Sequence, residues 1–506
     1  MRVKKNWILI LIIICHLPGI QITASGLRQY FSFPAYYNVV EFGASGNGEE
    51  KDTQSIQSAI DSCFSQGGGT VYFPPGTYLC GSLHLRNNVA LFLDHGSSIF
   101  MSKDNEDFDP YETLDFKNAS DRETSYFHYA LIWGEDLEHI AIIGTGSIDC
   151  NRNRRGGPKP IALKRCSYVT IKDITIKNAP NYNISMLGTD FVNISGVSIL
   201  NGYCDGIDPD ACKYVRISDC FIDCFDDAIV PKSSFSLGYR RSVENLTITN
   251  CILSTNCNAI KFGTESGGGF KNVTITNCVI FERNTGKHAD SGIALESVDG
   301  AEIEGVNISN ISMRNVIAPV FLRLGNRGRD LEIPTPGYLK NVIISNITAT
   351  GATLACPIAG IPNHPIEGII LDNIRISFKG GGSFDGKIEN VPEVISDYPE
   401  SDMFGVLPSY GFYCRHVRNL KLRDIILTVD KPDKRYAMVF DDLVKLNIES
   451  IDAEKSEGAS PVFRFNNVRQ VVIRGCIIPM DISEFMEVSE NQMNEIQFVD
   501  NFKFQK

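Results

Sequence analysis

The chain has 506 residues, 43% of them hydrophobic and 21% charged, a balance that allows a sizeable buried core and excludes disordered and collagen-like classes. Lys and Arg number 48 against 60 Asp and Glu, a formal net charge of −12, which disfavours nucleic acid as a partner. The same charge repels polyanions at long range, so any acidic ligand must be held by cations placed locally in a cleft.

Arg2, Lys4 and Lys5 precede an apolar run from Trp7 to Cys15, and the small residues Thr23, Ala24 and Ser25 come after it. This is the order of an export leader. The run is too short for a spanning helix, which needs roughly 20 apolar residues. Residues 1–24 are therefore predicted to be a signal peptide and the protein to be exported (secreted, periplasmic or at the cell surface), with no stable membrane insertion after cleavage. Residues 25–506 are predicted to form one domain.

In the stretch DTQSIQSAIDSCF, Ile56, Ile60, Cys63 and Phe64 fall on one helical stripe, with Asp52 or Thr53 as N-cap. This is the one convincing amphipathic helix, and it is placed as a cap over the open end of a repeating β region.

From Ile140 onward an eight-residue template recurs, apolar at positions one, three, six and eight, usually with Asn, Asp or Gly at position five. Copies begin at Val169, Val192, Val215, Leu246 and Val273, with others at Ala301, Val342, Ile369, Leu420, Leu446 and Val471. Alternation within each half reads as strand, and the change of parity at position five reads as a corner. Starts lie 23 to 51 residues apart, a solenoid period with variable insertions. A TIM barrel would need a helix after every strand, and these spacers contain none. The predicted fold is all-β: a single-stranded right-handed parallel β-helix with rungs over about 38–480 and a closing segment over about 481–506 that contains DISEFMEV.

Stacking places Cys220, Cys251 and Cys278, all at template position six, above one another, and a buried thiol ladder is the expectation. Bridges between Cys204 and Cys212, or Cys63 and Cys80, stay open. Asn193, Asn245, Asn272, Asn307 and Asn346 match the glycosylation triplet, but the template places them in strands and corners, so glycans are not predicted from them. Segments 100–130 and 378–416 are the two longest insertions and are expected to wall a groove. Within the second, Tyr410, Phe412 and Tyr413 either stack a sugar or pack the loop.

Similar offsets on successive rungs define one side of a solenoid. Asp205 falls 13 residues after its start at Val192, Asp226 and Asp227 fall 11 and 12 after Val215, and Cys257 falls 11 after Leu246. Lys232 and Lys261 stand 17 and 15 after their own starts. Three acids and two lysines are thus predicted to share a patch. Glycoside hydrolysis needs paired carboxyl groups, one giving a proton to the leaving oxygen and another activating water or attacking carbon. Crowding keeps one of them protonated. Adjacent residues of a straight strand point to opposite faces, so Asp226 and Asp227 can share the cleft only if the chain bends there.

At these residues the chain resembles a known family. NVVEFGASGNGEEKDTQSIQSAI and GGGTVYFPPGTYL resemble the opening of the pectin-lyase-like β-helix superfamily, while CDGIDPDAC and DDAIVPKSS resemble glycoside hydrolase family 28, the polygalacturonases and their relatives. The resemblance runs from about Tyr37 to the last rungs. It implies that Asp226 is the general acid, that Asp205 and Asp227 hold and activate water in an inverting displacement, and that neither metal nor cofactor takes part. The departures are local. Tyr203-Cys204 stand where the family has Asn-Thr, Asn256-Cys257-Asn258 replace Gly-His-Gly, and Phe321-Leu322-Arg323 replace Arg-x-Lys. The acids are kept and the sugar-reading residues are changed.

Lys232, Cys257, Lys261, Arg323, Arg327 and Arg329 are the predicted substrate contacts, the arginines as forks for a uronate carboxylate. The predicted partner is an acidic plant-type polysaccharide or oligosaccharide, met by a monomer, with exo action or a rhamnogalacturonan-type substrate favoured. A lyase or epimerase on the same fold, and an inactive glycan-binding β-helix, stay open as alternatives.

Overall fold

The computed structural model describes residues 36–384 and 387–504, so the predicted leader lies outside the described residues. Every ladder between the described strands is parallel, and each connects one rung to the next. Three sheets run along the solenoid. The first carries the front half of each template: Val169 pairs with Val192, Val192 with Val215, Val215 with Leu246 and Leu246 with Val273. The second carries the back half, as where Phe221 pairs with Ile252 and Ile252 with Val279. The third, through Ile184, Ile207, Ile229, Ile260 and Ile293, lies under the candidate site.

The parity change at position five has a backbone cause. Asp173, Gly196, Asp219, Asn250 and Asn277 all have φ between 56° and 66°, a left-handed turn that Gly, Asn and Asp tolerate best. Side-chain amides there form a hydrogen-bonded ladder, Asn277 to Asn250, Asn310 to Asn277, Asn346 to Asn310 and Asn373 to Asn346, over 2.8–3.4 Å. The residue just before each template start is left-handed too. In the early rungs it is aromatic, so His139, Tyr168, Phe191 and Tyr214 stack at 4.7–4.9 Å on the outside. One expected start shifts: Val306, not Ala301, pairs with Val273 and Val342. Gly305 precedes it at φ 70°, a corner glycine within the strand Glu302–Arg314 that has the look of position five in the sequence.

Ile171, Ile194, Ile217, Ile248 and Ile275 stack with no measurable exposure, each such burial contributing about 1.5–3 kcal/mol. The cysteines join this core. All fourteen described cysteines are free, including Cys63, Cys80, Cys204 and Cys212. In the ladder, Cys220, Cys251 and Cys278 each donate to the carbonyl two residues earlier.

The predicted helix spans Thr53–Ser65 and packs over the first rung. Its buried stripe is Ile56, Ala59, Ile60 and Cys63, whereas Phe64 is 44% exposed, one residue beyond the stripe. Asp52 occupies the N-cap position but turns its carboxylate to Ser45 N and Gly46 N. At the other end Ile496–Val499 extends the first sheet by pairing with Val471 to Arg474, and Phe502–Phe504 pairs with Ile477–Pro479. The segment therefore adds a partial rung, with Phe485 buried beneath it.

Candidate active site

The bridges Ile207 to Ile229 and Ile229 to Ile260 set the register of the site. Two residues before each stand Asp205, Asp227 and Asn258, and three before stand Cys204, Asp226 and Cys257. The chain turns at Phe225–Asp226 after the strand Phe221–Cys224, and this bend lets the adjacent aspartates face the same cleft. Carboxylate oxygens of Asp226 and Asp227 and the Cys257 sulfur lie within 4.8 Å of one another, as do those of Asp205 and Asp226 and the Cys204 sulfur. The three predicted acids are brought together.

Each acid has a different surrounding. Asp205 is 3% exposed, and its Oδ2 accepts from Lys232 Nζ at 2.7 Å; the same ammonium donates to Asp208 Oδ1 at 2.7 Å. Burial pushes the Asp205 carboxyl well above the ordinary aspartate value against the pull of Lys232. Burial opposes the charge of Lys232 in turn, but Asp205 and Asp208 outweigh it and hold the ammonium protonated. Asp227 is fixed by donors on both oxygens: Asn258 N at 2.7 Å and Asn258 Nδ2 at 2.9 Å on Oδ1, and Lys261 Nζ at 3.3 Å from Oδ2. Asp226 is the outermost. Its Oδ2 accepts from Arg155 Nη1 at 2.5 Å, and it faces a pocket of about 700 Å³ lined also by Tyr203, Phe225, Cys257, Lys287, His288 and Asp290.

The predicted substrate contacts divide. Cys257 lines the pocket. Lys232 and Lys261 do not reach out to it: their side chains are 4% and 2% exposed and committed to the acids, Lys261 also meeting Glu400 at 3.4 Å. They hold the carboxylates of Asp205 and Asp227 and leave no ammonium facing the pocket. Arg323 is 1% exposed and donates to the carbonyls of Gly360, Glu393 and Val394. It is a strut under the second insertion, because neutral carbonyls surround it where a uronate clamp needs open space. Arg327 is bidentate to Asp299 at 2.9 and 2.5 Å, and Arg329 meets Glu265 at 3.1 Å. Neither lines the pocket around Asp226.

Both insertions border the site. From the first, Asn118 donates to Ser236, Ala119 N to Asp330, and Glu123 meets Arg155. From the second, Glu400 reaches Asn258 and Lys261, and Ser401 donates to Asp290 O. Tyr410, Phe412 and Tyr413 are buried and pack the core. The aromatic surface in the site is the stacked pair Tyr203 and Phe225, 5.1 Å apart, with the Arg283 guanidinium 3.8 Å from the Phe225 ring centroid.

Sequence reasoning missed Arg155, Asp208, His288, Asp290 and Glu400. Asp290 was within reach: it stands three before Ile293 and so continues the Asp226 and Cys257 column. Burial, with Asp227 and Asp402 nearby, pushes its carboxyl up to about 6. Arg155 and Glu400 carried no signal, since both sit in irregular segments whose path depends on tertiary contacts.

The profile of Glycosyl hydrolases family 28 matches residues 113–397. The Vitis vinifera protein named "Probable polygalacturonase" is 26% identical over 400 residues, 74% of this chain and 79% of that one. Exo-poly-alpha-D-galacturonosidase of Dickeya chrysanthemi is 24% identical over 426 residues, 68% of each chain. Among solved structures, the hyperthermoactive exopolygalacturonase of Thermotoga maritima superposes with a TM-score of 0.62 at 22% identity, over 83% of this chain and 95% of that one, a likeness of fold.

Proposed function

Because the chain belongs to glycosyl hydrolase family 28 and is a glycoside hydrolase, we propose that it is exported and cleaves galacturonate-containing bonds of pectic chains from an end, by a single inverting displacement. The observation that carries this reading is the disposition of the acids: Asp226 stands open to the pocket while Asp205 and Asp227 are recessed behind it, 3% and 7% exposed.

In the proposed reaction Asp226 protonates the leaving oxygen as the glycosidic bond breaks. A water held between Asp205 and Asp227 attacks the anomeric carbon from the other side and loses its proton to one of them. Lys232 and Lys261 keep the two bases in place, and Asn258 fixes the angle of Asp227. Arg155 must leave Asp226 Oδ2 before proton transfer, and a bound uronate carboxylate is a suitable new partner for it.

Inverting enzymes usually hold their carboxyl groups about 6.5–9.5 Å apart and retaining ones about 5–5.5 Å. Here one carboxylate oxygen of Asp226 lies within 4.8 Å of one on each partner, a nearest approach that is shorter than the separation of the groups. The recessed position of Asp205 and Asp227 favours holding water over bonding to carbon, and the anomer first released is the deciding readout. Exo action is supported by the two insertions that border the pocket and by the names of similar proteins.

The test is incubation of the protein and of Asp226→Asn with polygalacturonan, rhamnogalacturonan fragments and pectic oligosaccharides, with products resolved by mass and by proton NMR. Saturated monomers or dimers of inverted anomeric configuration, lost in the variant by at least about 10³-fold, are expected. A retained anomer overturns the mechanism, and unsaturated products would make the enzyme a lyase.

A further inference from the structure

A second cavity lies beside the catalytic pocket. It has a volume of about 880 Å³ and is lined by Phe100, Lys103, Arg152, Arg154, Asn178 and Tyr203 among others. Tyr203 lines both cavities, and Arg154 of this one is next in the chain to Arg155 of the other. Among the described residues, Lys103, Arg152 and Arg154 take part in no ion pair with a carboxylate. Arg152 Nη1 is buried without any hydrogen-bond partner, and its Nη2 has only Asn105 Oδ1 at 3.4 Å. The one carboxylate in the lining, Asp149, is already met by Lys177 at 3.3 Å and by the Asn178 amide at 3.0 Å. Three uncompensated cations in one hollow are unusual for a chain of net charge −12, and a buried guanidinium nitrogen without an acceptor asks for one.

Resting on the hydrolase reading above, we infer that this hollow is a subsite for carboxylates of an acidic sugar chain running over Tyr203 from the cleavage site, with Lys103, Arg152 and Arg154 as its readers. The chemistry fits. Guanidinium groups match carboxylates bidentately, Phe100 and Tyr203 offer faces for sugar rings, and the Asn side chains offer amides to hydroxyls. The hollow also supplies what Arg323, Arg327 and Arg329 do not, because those arginines are spent on protein carbonyls and carboxylates.

The experiment uses full-length protein silenced by Asp226→Asn, titrated calorimetrically with galacturonate oligosaccharides of increasing length and with their neutral methyl esters. It is repeated with Lys103→Gln and Arg154→Gln added; both residues are exposed, and unchanged melting confirms folding. The expected result is an affinity that rises with length for the acidic series only, falls with salt, and loses about tenfold of that gain in the double variant, while the esters bind both proteins alike. An unchanged length dependence in the variant overturns the inference, and so does a parent that binds no acidic oligosaccharide. Failure of the hydrolase reading is a separate result: unaltered protein would release no saturated product although length-dependent binding and its loss in the variant persist.

Discussion

Lys232→Met removes one ammonium and keeps nearly the same volume. In the native site its Nζ lies 2.7 Å from both Asp205 and Asp208, and all three side chains are 2–4% exposed. Removing it leaves two buried carboxyl groups without the cation that contacts them, and breaking a buried pair in this way costs about 3–5 kcal/mol. The pH dependence gives an independent sign. Burial already raises Asp205 and Asp208, and Lys232 opposes that rise; without it both folded values climb further above the unfolded ones. A carboxyl whose folded pKa is raised penalises the fold only once the unfolded group ionises, so the penalty is absent below about pH 4 and grows by about 1.4 kcal/mol per pH unit per group. Wild type shares this penalty up to its own raised values, so thermal or urea unfolding of the two proteins should separate only above those values and then diverge as pH rises; on the proposed mechanism kcat should also fall, because further protonation of Asp205 weakens its hold on the attacking water. Equal stability at every pH, with only KM raised, would refute this reasoning and return Lys232 to the substrate contacts.

Arg323→Met should release the segment at Glu393 and Val394 that the guanidinium holds, making it the first site of limited proteolysis, whereas a substrate-binding arginine would leave proteolysis unchanged. Glu135 is drawn down to about 2 by its hydrogen bond to His128, with Lys164 and Arg165 nearby. Its contribution to stability is thus present above about pH 4.5 and lost as pH falls toward 2, so Glu135→Gln should flatten the acid limb of a melting profile. With every described cysteine free, dithiothreitol should leave the melting temperature unchanged. Burial and the nearby Asp226 and Asp227 push the Cys257 thiol up, so alkylation of the folded protein should be slow but should modify Cys257 first, the one described cysteine that is not fully buried; labelling of Cys220 or Cys251 first would contradict the thiol ladder.

Much of this molecule is written locally. The template alternates because one face of each short strand is buried, and position five turns because Asn, Asp or Gly tolerates the left-handed corner seen at Asp219, Asn250 and Asn277. Both are nearest-neighbour effects, so period, corner and the shared side of Asp205, Asp226 and Asp227 arise from spacing. Ala301 shows the limit: a glycine corner of the other kind imitates position five, and only pairing with Val273 separates them.

The sequence by itself determined the solenoid, its core thiols and which acids meet, because a repeat carries its own register. Only the tertiary structure decided what each cation does. Lys232, Lys261 and Arg323 look like ligands by offset, yet they are buried against Asp205, Asp227 and the carbonyls of the second insertion. Glu400 arrives from 139 residues beyond Lys261, and Arg155 reaches Asp226 across 71. Such partners are chosen by where irregular loops fold back over the third sheet, and no period along the chain records that path.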